Sequence, residues 1–445
     1  RMRGAKIFEN IKVEEVLTRG NKAVGVRTDQ GTISADYVVN CGGMWARELG
    51  RDNGVGVPLH ACEHYYLVTE AIENLPSDLP VLRSYCDGTY WKEDAGKLLV
   101  GMFEPGAKPW GMNGIPEDFH FDQLPDDFEH LEPYLEAAMH RIPKLMETGL
   151  QVFFNGPESF TPDDRYHLVE APELRNYFVA AGFNSVGIQS AGGAGKMLAE
   201  WIHKGHAPRD LWDVDIRRNR PFQGTQAYLQ ERTTETLGLL YETHYPFKQF
   251  KTSRGVRRSV LHEQLKAQGA VFGSENGWER ANWFAKDGDD TSEEGTETWG
   301  REGSWTARVK EEVEAVRDGV GVLDLTGFSR FTLKGEGAAE WLRTMITGAL
   351  PKIGRMNLIY FADNRGRILT EMSCIRHGED DFVLMTAAVA QWHDFEVLSR
   401  KMPAGLDLQD ISGQFSTMLV TGPKSRDLLA TLTDADLTAG WLSLQ

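Results

Sequence analysis

Short runs of apolar residues separated by turn-forming residues open the chain, and this pattern predicts strands. The predicted strands are Ile11 to Leu17, Ala23 to Thr28 and Thr32 to Cys41. The last run is almost continuously apolar, and it leads through Gly42 and Gly43 into the helix-like segment MWARELG. A buried strand that feeds a glycine turn and a helix is typical of the wall of a nucleotide site in α/β folds.

The pattern continues with a strand at Glu63 to Thr69 and a hairpin formed by Gly88 to Lys92 and Lys97 to Met102. The acidic stretch from Phe103 to Met146 is predicted to be helical, with breaks at its prolines. A strand at Gln151 to Asn155 follows. The first region therefore has the character of an α/β unit.

A glycine-rich segment, residues 182–195 with the sequence GFNSVGIQSAGGAG, lies between a predicted strand at Tyr177 to Ala181 and a predicted helix at Lys196 to His203. Glycines let a backbone approach a flat ring or a phosphate without an intervening Cβ. Backbone N–H groups at a helix N-terminus bind anionic or electron-rich atoms. Taken alone, the pattern favours a packed junction of small residues.

The pattern changes towards the C-terminus. Residues 287–303 are polar and acidic without apolar periodicity, which predicts a linker or a surface loop. From Glu311 onwards helices and strands mix in the manner of an α+β domain. We therefore expect three domains with the boundaries 1–215, 216–300 and 301–445.

The amino-acid composition excludes several classes of function for this chain. The 445 residues include 48 basic and 65 acidic side chains, so the formal net charge is −17. This charge repels phosphate backbones and anionic lipids, and we expect neither nucleic acid nor a membrane as a partner. The four cysteines are widely spaced, which predicts neither a metal site nor a disulfide framework and favours a reducing compartment.

Four blocks resemble, in order and spacing, the flavoprotein half of the dimethylglycine and sarcosine dehydrogenases: NCGGMWARELG, EHYYLVT, NGPESFTPD and AAGFNSVGIQSAGGAGKMLAEWI. The segment GVRRSVLHEQLKAQGAVFGSENGWERANWF resembles the linking domain of these enzymes. Residues from Glu311 onwards resemble the start of the aminomethyltransferase of the glycine cleavage system. The resemblance implies a D-amino-acid-oxidase-like FAD domain, a short linking domain and a folate-binding domain. The fold class is thus α/β plus α+β.

The resemblance also implies an internal segment of a longer enzyme. The family opens with a G-x-G-x-x-G turn for the FAD pyrophosphate and often carries a histidine that bonds the flavin. This sequence contains neither motif, and its transferase-like part matches only the first half of that module.

FAD is the expected cofactor, and the glycine-rich segment is expected to hold its ring. Backbone N–H groups of Val186 to Gln189 are expected to bind a ring oxygen, with the positive helix end supporting the reduced ring. The expected cofactor-binding residues of this segment are Gly182, Asn184, Ser185, Gly187, Gln189, Ser190, Gly192 and Gly193. The turn after the earlier strand adds Gly42, Gly43 and Trp45.

His64 and Tyr90 are the expected catalytic residues on the amine side. By resemblance, a histidine in EHYYLVT and a tyrosine in GTYWKE face the flavin and help to bind and deprotonate the methylated amine. A neutral imidazole accepts a proton near neutral pH. Simple packing of both side chains on a sheet fits the sequence equally well, and Trp91 or Tyr66 is an alternative to Tyr90.

Glu371 is the expected catalytic residue of the folate domain. The family carries an aspartate there, which activates the folate nitrogen, and Glu371 occupies that position in GRILTEM. Leu358 replaces a tyrosine usual in the family. Glu371 is equally interpretable as a solvated charge at the end of a strand.

The resulting prediction is FAD-dependent demethylation of dimethylglycine or sarcosine, with transfer of the one-carbon unit to tetrahydrofolate. Oxygen and an electron-transfer flavoprotein are alternative electron acceptors. The competing interpretations are an FAD oxidase of another amine whose folate domain no longer binds folate, and a non-catalytic scaffold that binds folate or a partner. The bacterial cytoplasm is preferred to the mitochondrial matrix as the location.

Overall fold

The computed structural model describes residues 4–245, 248–296, 299–300, 302–438 and 440–444. The chain divides into two compact units, Arg1–His244 and Tyr245–Gln445. Within the predicted linker, residues 297, 298 and 301 lie outside the described residues. The domain boundaries after 215 and 300 stay predictions.

The first unit contains three runs of β-strands, each followed by one or two α-helices. They are β1 (Val13–Thr18), β2 (Ala23–Thr28), β3 (Gly31–Ser34), β4 (Val38–Asn40), α1 (Ala46–Arg51), β5 (His60–Thr69), β6 (Leu82–Ser84), β7 (Thr89–Asp94), β8 (Lys97–Met102), α2 (Phe128–Arg141), β9 (Leu150–Phe160), β10 (His167–Glu170), β11 (Tyr177–Ala181), α3 (Gly187–Lys204) and α4 (Gln226–Leu239).

A small sheet brings the two glycine turns together. Its strand order is β10-β11-β4, and β11 runs parallel to β4, with Tyr177 opposite Val38. The carboxyl ends of parallel strands meet at one edge of a sheet. The turn after β4 and the turn after β11 therefore lie at the same edge, as the α/β interpretation requires.

The predicted strand from Thr32 to Cys41 is in fact two strands in two sheets. β3 pairs with β2, whereas β4 pairs with β11. The chain leaves the first sheet at Ala35, whose N–H still donates to the carbonyl oxygen of Val24. The sequence pattern missed the break because both pieces are extended and partly apolar.

A five-stranded antiparallel sheet, in the order β6-β7-β8-β5-β9, forms the centre of the first unit. One face packs against α2 through Tyr65, Leu67, Trp91 and Leu131. Side chains alternate between the faces of a strand, so His64 and Tyr66 lie on the opposite face. Only 128–141 of the predicted helical stretch after Phe103 forms an α-helix, with a short 3₁₀ turn at Pro143–Glu147.

The second unit mixes strands and helices around a larger sheet. Its elements are α5 (His262–Ala267), β12 (Ala270–Glu275), β13 (Trp278–Phe284), α6 (Glu293–Thr296), α7 (Trp305–Asp318), β14 (Gly321–Asp324), β15 (Ser329–Lys334), α8 (Ala338–Met345), β16 (Ile346–Thr347), β17 (Arg355–Ala362), β18 (Ile368–Gly378), β19 (Asp381–Thr386), α9 (Gln391–Lys401), β20 (Asp407–Asp410), β21 (Met418–Thr421) and α10 (Ser425–Leu429).

The larger sheet has the order β16-β17-β18-β19-β15-β20. Phe331, Phe361 and Phe382 on one face pack with α8 and α9 in the core of this unit. Leu358 and Tyr360 alternate with the buried positions of β17 and are exposed. The sheet face that carries Leu358 and Tyr360 is called the open face below. Among the described residues, no helix is both long and apolar enough to cross a membrane.

Candidate active site

A cleft of about 520 Å³ lies in the first unit, where the five-stranded sheet meets the two glycine turns. Its walls come from the turn after β4, from β5 and β9, from the segment around Phe119 and from the start of α3. Six of the predicted site residues line it: Gly43, Trp45, His64, Asn184, Ser185 and Gly187. The structure thus brings together residues from three separate sequence blocks.

The other predicted residues do not line this cleft. Gly42 and Gly182 lie behind it in the turns, and Glu371 belongs to the second unit. Gln189, Ser190, Gly192 and Gly193 lie on the first two turns of α3. Tyr90 lies on the sheet beside the cleft, and its position is described below.

Helix α3 begins at Gly187, earlier than the predicted start at Lys196. Glycines disfavour helices, which is why the sequence predicted a turn there. Ala194 and Leu198 pack against Leu168 and Phe178 of the small sheet, and this burial outweighs the local preference. A Cβ added at Gly193 would meet no atom within 4 Å, so the glycines leave bare backbone on the outer face of the helix.

The first turn of α3 offers a smaller set of N–H groups than predicted. The N–H of Val186 donates to the carbonyl oxygen of Phe183, and that of Ser190 donates to the carbonyl oxygen of Val186. The N–H groups of Gly187, Ile188 and Gln189 precede the first complete helical turn and have no acceptor within the helix. These three groups, at the positive end of the helix, are free for an electron-rich ligand atom.

The loop before α3 is held by its own side chains. Asn184 is 1% exposed, and its Oδ1 accepts from the backbone N–H of Thr161 at 2.8 Å. Gly182 has φ +70°, and a Cβ there would lie 2.5 Å from Cγ2 of Thr161. Both residues therefore position the loop, and the Asn184 amide is occupied by the protein rather than offered to a ligand.

Ser185 connects the loop to the sheet. Its hydroxyl donates to a carboxylate oxygen of Glu158 in β9, and both residues line the cleft. Glu158 lies opposite Cys62 of β5, on the same sheet face as His64. The sequence did not indicate Glu158, because its place in the cleft follows only from the pairing of β5 with β9.

His64 is buried at the floor of the cleft. It is 9% exposed, its ring centroid lies 4.9 Å from that of Phe103, and its Nδ1 has no hydrogen-bond partner among the described residues. A buried polar atom without a partner is uncommon and indicates a place for a missing partner. The structure therefore gives His64 the free nitrogen that the predicted role requires.

Tyr90 belongs to a row of directly opposed residues on this sheet face. The cross-strand row runs from β6 to β9 through Arg83, Tyr90, Gly101, Tyr66 and Phe154. A Cβ at Gly101 would lie 2.0 Å from Cζ of Tyr90, so the Tyr90 ring extends over Gly101 towards Tyr66. Burial raises the pKa of the Tyr90 hydroxyl to about 12, and the charge of Glu158 contributes to the rise.

The two alternatives to Tyr90, Trp91 and Tyr66, lie on opposite faces of the sheet. Trp91 is 2% exposed and packs in the core beneath the opposite face of the sheet, so it cannot face the cleft. Tyr66 lines the cleft, and its ring stacks on that of Phe154 at 4.7 Å between centroids. Of the three candidates, Tyr66 is therefore the one that lines the cleft, and Tyr90 lies on the same sheet face, beyond Gly101.

A buried histidine supports the loop that follows β9. His167 accepts at Nδ1 from the guanidinium of Arg218, because an arginine can only donate, and its Nε2 then donates to the carbonyl oxygen of Pro58 at 2.9 Å. Burial lowers the pKa of His167 to about 3, and the Arg218 charge contributes. His167 is therefore a neutral structural residue.

Glu371 has very different surroundings. It lies on the open face of the second unit, opposite Tyr360 of β17, and its side chain is exposed. The neighbouring Leu358 on this face is 50% exposed. A cavity of about 570 Å³ occurs in the second unit, and Glu371 is not among its lining residues.

The first-unit cleft fits the ring end of a flavin. Three free N–H groups at the start of α3 match the carbonyl oxygen of a flavin pyrimidine ring. Gly43 has φ +56° with no atom within 4 Å of an added Cβ, which leaves room at the rim. Gly187, Ile188 and Gly43 line the cleft and would hold the ring, and His64, whose Nδ1 has no partner among the described residues, lines the same cleft.

Three family models match the chain in succession. They are an FAD dependent oxidoreductase over residues 1–201, an FAD dependent oxidoreductase central domain over 204–259 and a GCVT N-terminal domain over 261–443. They confirm the predicted fold class, in which an FAD domain precedes a linking domain and an aminomethyltransferase-like domain.

Curated relatives match nearly the whole chain. A 4-methylaminobutanoate oxidase (formaldehyde-forming) of Paenarthrobacter nicotinovorans is 38% identical over 97% of this chain and 52% of its own length. A mitochondrial dimethylglycine dehydrogenase of Mus musculus is 32% identical over 98% of this chain and 51% of its own. A mitochondrial pyruvate dehydrogenase phosphatase regulatory subunit of Mus musculus is 32% identical over 98% and 50%.

The chain spans about half the length of these relatives. Among solved structures, an L-proline dehydrogenase from P. horikoshii is 26% identical with a TM-score of 0.41, over 48% of this chain and 55% of that one. The resemblance to the dimethylglycine and sarcosine dehydrogenases is confirmed. The chain thus joins an FAD-dependent oxidoreductase domain, a central domain of the same class and an aminomethyltransferase-like domain, in the order found by the three family models.

Proposed function

We propose that the chain forms the amine-binding part of an enzyme that oxidatively demethylates an N-methylated amino acid. Dimethylglycine and sarcosine are the proposed substrates, and tetrahydrofolate is the proposed acceptor of the one-carbon unit. The observation that carries the proposal is the cleft, whose lining includes both His64, with an Nδ1 that has no partner among the described residues, and the start of α3 at Gly187 and Ile188. The relatives named as N-methyl amine oxidoreductases support it.

Bound FAD would supply the two-electron oxidation. The residues of the chain then have four tasks: to bind the amine, to orient it, to exclude water and to take its proton. His64 is suited to take a proton at Nδ1, because that atom is buried and free of other partners. Tyr66 and Phe154 present ring faces against which a methylammonium group packs favourably.

The acidic side chains of the cleft favour a cationic substrate. Glu158 and Asp122 line it, and its lining contains no lysine or arginine among the described residues. A substrate amine arrives protonated at neutral pH, and a nearby carboxylate stabilises that form. Transfer of the proton to His64 would then produce the neutral amine needed for oxidation.

The folate part of the proposal rests on the GCVT match and on Glu371. The carboxylate of Glu371 is accessible on the open face, where it can meet a ligand amine. The change from aspartate to glutamate moves the charge outwards by one methylene. We retain tetrahydrofolate as the proposed acceptor and the bacterial cytoplasm as the proposed location; oxygen and an electron-transfer flavoprotein are the two proposed electron acceptors.

Anaerobic flavin reduction tests the proposal. The FAD-loaded protein is mixed with dimethylglycine, sarcosine or 4-methylaminobutanoate, and the loss of flavin absorbance is followed. We expect reduction by at least one of the first two, and a reduction rate about 100-fold or more lower in His64→Asn. Flavin reduction by none of these amines would contradict the proposal.

Formaldehyde release then separates the two enzymatic alternatives. If the folate domain is active, tetrahydrofolate should lower free formaldehyde, and Glu371→Gln should restore it. An enzyme that oxidises another amine without folate would show no effect of tetrahydrofolate. The exposure of Glu371 and the leucine at position 358 are the observations that favour this second candidate.

A scaffold function is the third candidate. One relative that matches 98% of this chain is named as a regulatory subunit of a phosphatase. A scaffold would bind its ligand or partner without flavin reduction by any amine. The anaerobic experiment therefore also distinguishes catalysis from scaffolding.

A further inference from the structure

An arginine lies at the end of the cross-strand row, outside the cleft described above. Arg83 in β6 is directly opposite Tyr90, so its side chain starts from the same sheet face as Tyr66 and Phe154. This residue has no role in the predicted site, and its sequence context, between Leu82 and Ser84, gives no motif.

The guanidinium of Arg83 lies against aromatic rings and has no counterion among the described residues. Its Cζ lies 3.4 Å from the ring centroid of Tyr241 and 5.1 Å from that of Phe103. Its Nη2 is buried, with no hydrogen-bond partner among the described residues, and no ion pair of Arg83 occurs within the described part of the chain. A partly buried cation without an anion is costly, which indicates a place for an anionic ligand group.

The position of Arg83 relates it to the proposed reaction. The ring of Phe103 is close to both groups, with its centroid 5.1 Å from the Arg83 guanidinium carbon and 4.9 Å from the His64 imidazole centroid. The two functional groups are therefore no more than about 10 Å apart, which a small amino acid with its contacts at both ends can bridge. Tyr90 is directly opposite Arg83, and burial raises the pKa of its hydroxyl, while the charge of Glu158 adds to the rise and the charge of Arg83 opposes it.

The sheet face thus has opposite charges at its two ends. Glu158 and Asp122 lie on the cleft side, and Arg83 lies beyond Tyr90. An N-methyl amino acid carries a cationic nitrogen and an anionic carboxylate, and this arrangement is complementary to it. Planar guanidinium groups bind carboxylates through two parallel hydrogen bonds.

We propose that Arg83 binds the carboxylate of the substrate and so restricts the enzyme to N-methyl amino acids rather than simple methylamines. This inference rests on the proposed function, because it assigns the second end of the same substrate. Arg83 is a specificity residue rather than a catalytic one, and it is expected to affect affinity more than the rate of the chemical step.

Equilibrium binding of a ligand that cannot be demethylated oxidatively tests the assignment. The ligand is trimethylglycine, whose quaternary nitrogen has no lone pair, and the comparison is its carboxamide, which keeps the quaternary ammonium and replaces the carboxylate by a neutral amide. Both are titrated into the FAD-loaded protein by calorimetry. We expect the wild-type protein to bind the carboxylate more tightly, and Arg83→Gln to bind it about 10- to 100-fold more weakly while the carboxamide is unaffected.

Two further variants serve as controls. Arg83→Lys keeps the charge and should retain part of the preference, since a lysine cannot form the bidentate pair. Arg19→Gln removes the same charge from an exposed turn and should bind like the wild type. Circular dichroism and flavin content report whether each variant is folded.

The results that would reject the Arg83 assignment differ from those that would reject the proposed function. Unchanged carboxylate binding in folded Arg83→Gln, or equal wild-type affinity for the two ligands, would overturn the assignment. The second of these results needs no variant to fold. An Arg83-dependent preference without flavin reduction by dimethylglycine, sarcosine or 4-methylaminobutanoate would support the carboxylate site and reject the demethylase proposal.

Discussion

The first and second units each present one sheet face that carries predicted catalytic residues, but the two faces differ in enclosure. In the first unit, His64 is 9% exposed and lies among the rings of Phe103 and Phe160. In the second unit, Glu371 is exposed on the open face beside Leu358, which is 50% exposed. Electrostatic interactions between a buried polar side chain and its neighbours are strong, whereas water and salt screen the charge of an exposed side chain.

The difference shows that a polar residue in a strand does not by itself indicate a functional site. Both residues were selected by the same reasoning, from their place in a family-like block. His64 lines a cleft, has two aromatic rings close to its own ring and carries a ring nitrogen without a partner among the described residues, whereas Glu371 is exposed. The first-unit face is therefore the better-supported site, and the predictions below test the contrast between an enclosed and an open face.

The largest expected effect is a loss of stability of the first unit in acid. His167 is neutral when folded, with a pKa of about 3, and takes up a proton near pH 6.5 when unfolded. Below pH 6.5 the unfolded state binds more protons, so stability is complete above that pH and declines as the pH falls. We expect a decline of about 3 kcal/mol from this residue between pH 6.5 and pH 4, measured by urea unfolding.

His167→Gln should remove most of this pH dependence, because glutamine has no proton to gain and can still donate to Pro58 and accept from Arg218. His377→Gln, at an exposed position of the second unit, is the matched control and should follow the wild type. Equal slopes in the two variants would show that enclosure of His167 does not govern the acid response.

The next effect concerns glycines in the two sheets. Gly101→Ala places a Cβ 2.0 Å from the Tyr90 ring, which must then leave the row. We expect a loss of about 2 kcal/mol in unfolding free energy. Gly378→Ala in β18 meets only Cβ of Asp381 at 3.5 Å, an ordinary contact, and should change stability by less than about 0.5 kcal/mol. Comparable losses in both variants would contradict the close packing of the first sheet face.

A smaller effect is expected for Ser185→Ala. This change removes the donor to Glu158, and the loss of a hydrogen bond to a charged group should cost about 1 to 2 kcal/mol. Ser373→Ala on the open face is the control and should cost less than about 0.5 kcal/mol. Guanidinium chloride unfolding measures both. A negligible loss for Ser185→Ala would indicate that the loop before α3 does not depend on this contact.

The smallest effect is expected for Glu371→Gln in the absence of folate. An exposed carboxylate on the open face should contribute less than about 0.5 kcal/mol to the free energy of unfolding. Thermal unfolding of the two proteins at equal pH measures the difference. A loss above about 1 kcal/mol would mean that Glu371 has a structural partner, and the contrast between the two faces would then be weaker.

The sequence predicted local structure well where pattern and composition agree. Strands β2 and β11 have the predicted bounds, Ala23–Thr28 and Tyr177–Ala181, because their apolar runs end at clear turn residues. Helix α3 was placed too late, since its glycines are unfavourable for a helix and only packing of Ala194 and Leu198 reveals it.

Only part of the candidate site could be predicted, because local sequence patterns do not show which strands pair. His64, Ser185 and Trp45 lie in blocks with a family pattern, and the structure brings them to one cleft. Glu158 and Arg83 were missed, because strand pairing alone places them beside the predicted residues. The glycine at position 101 is a weak signal in hindsight, since a glycine inside a strand often marks a close approach of another group.

The cross-strand row makes the proposed site adjustable in discrete steps. Each of its five positions comes from a different strand, and neighbouring strands lie about 4.8 Å apart. A cationic side chain moved from β6 to β7 would approach Tyr66 by one such spacing without any change of backbone. Related proteins with the same sheet can therefore come to bind longer or shorter substrates through single substitutions. Each strand by which the cationic residue is moved changes the length of the substrate that fits.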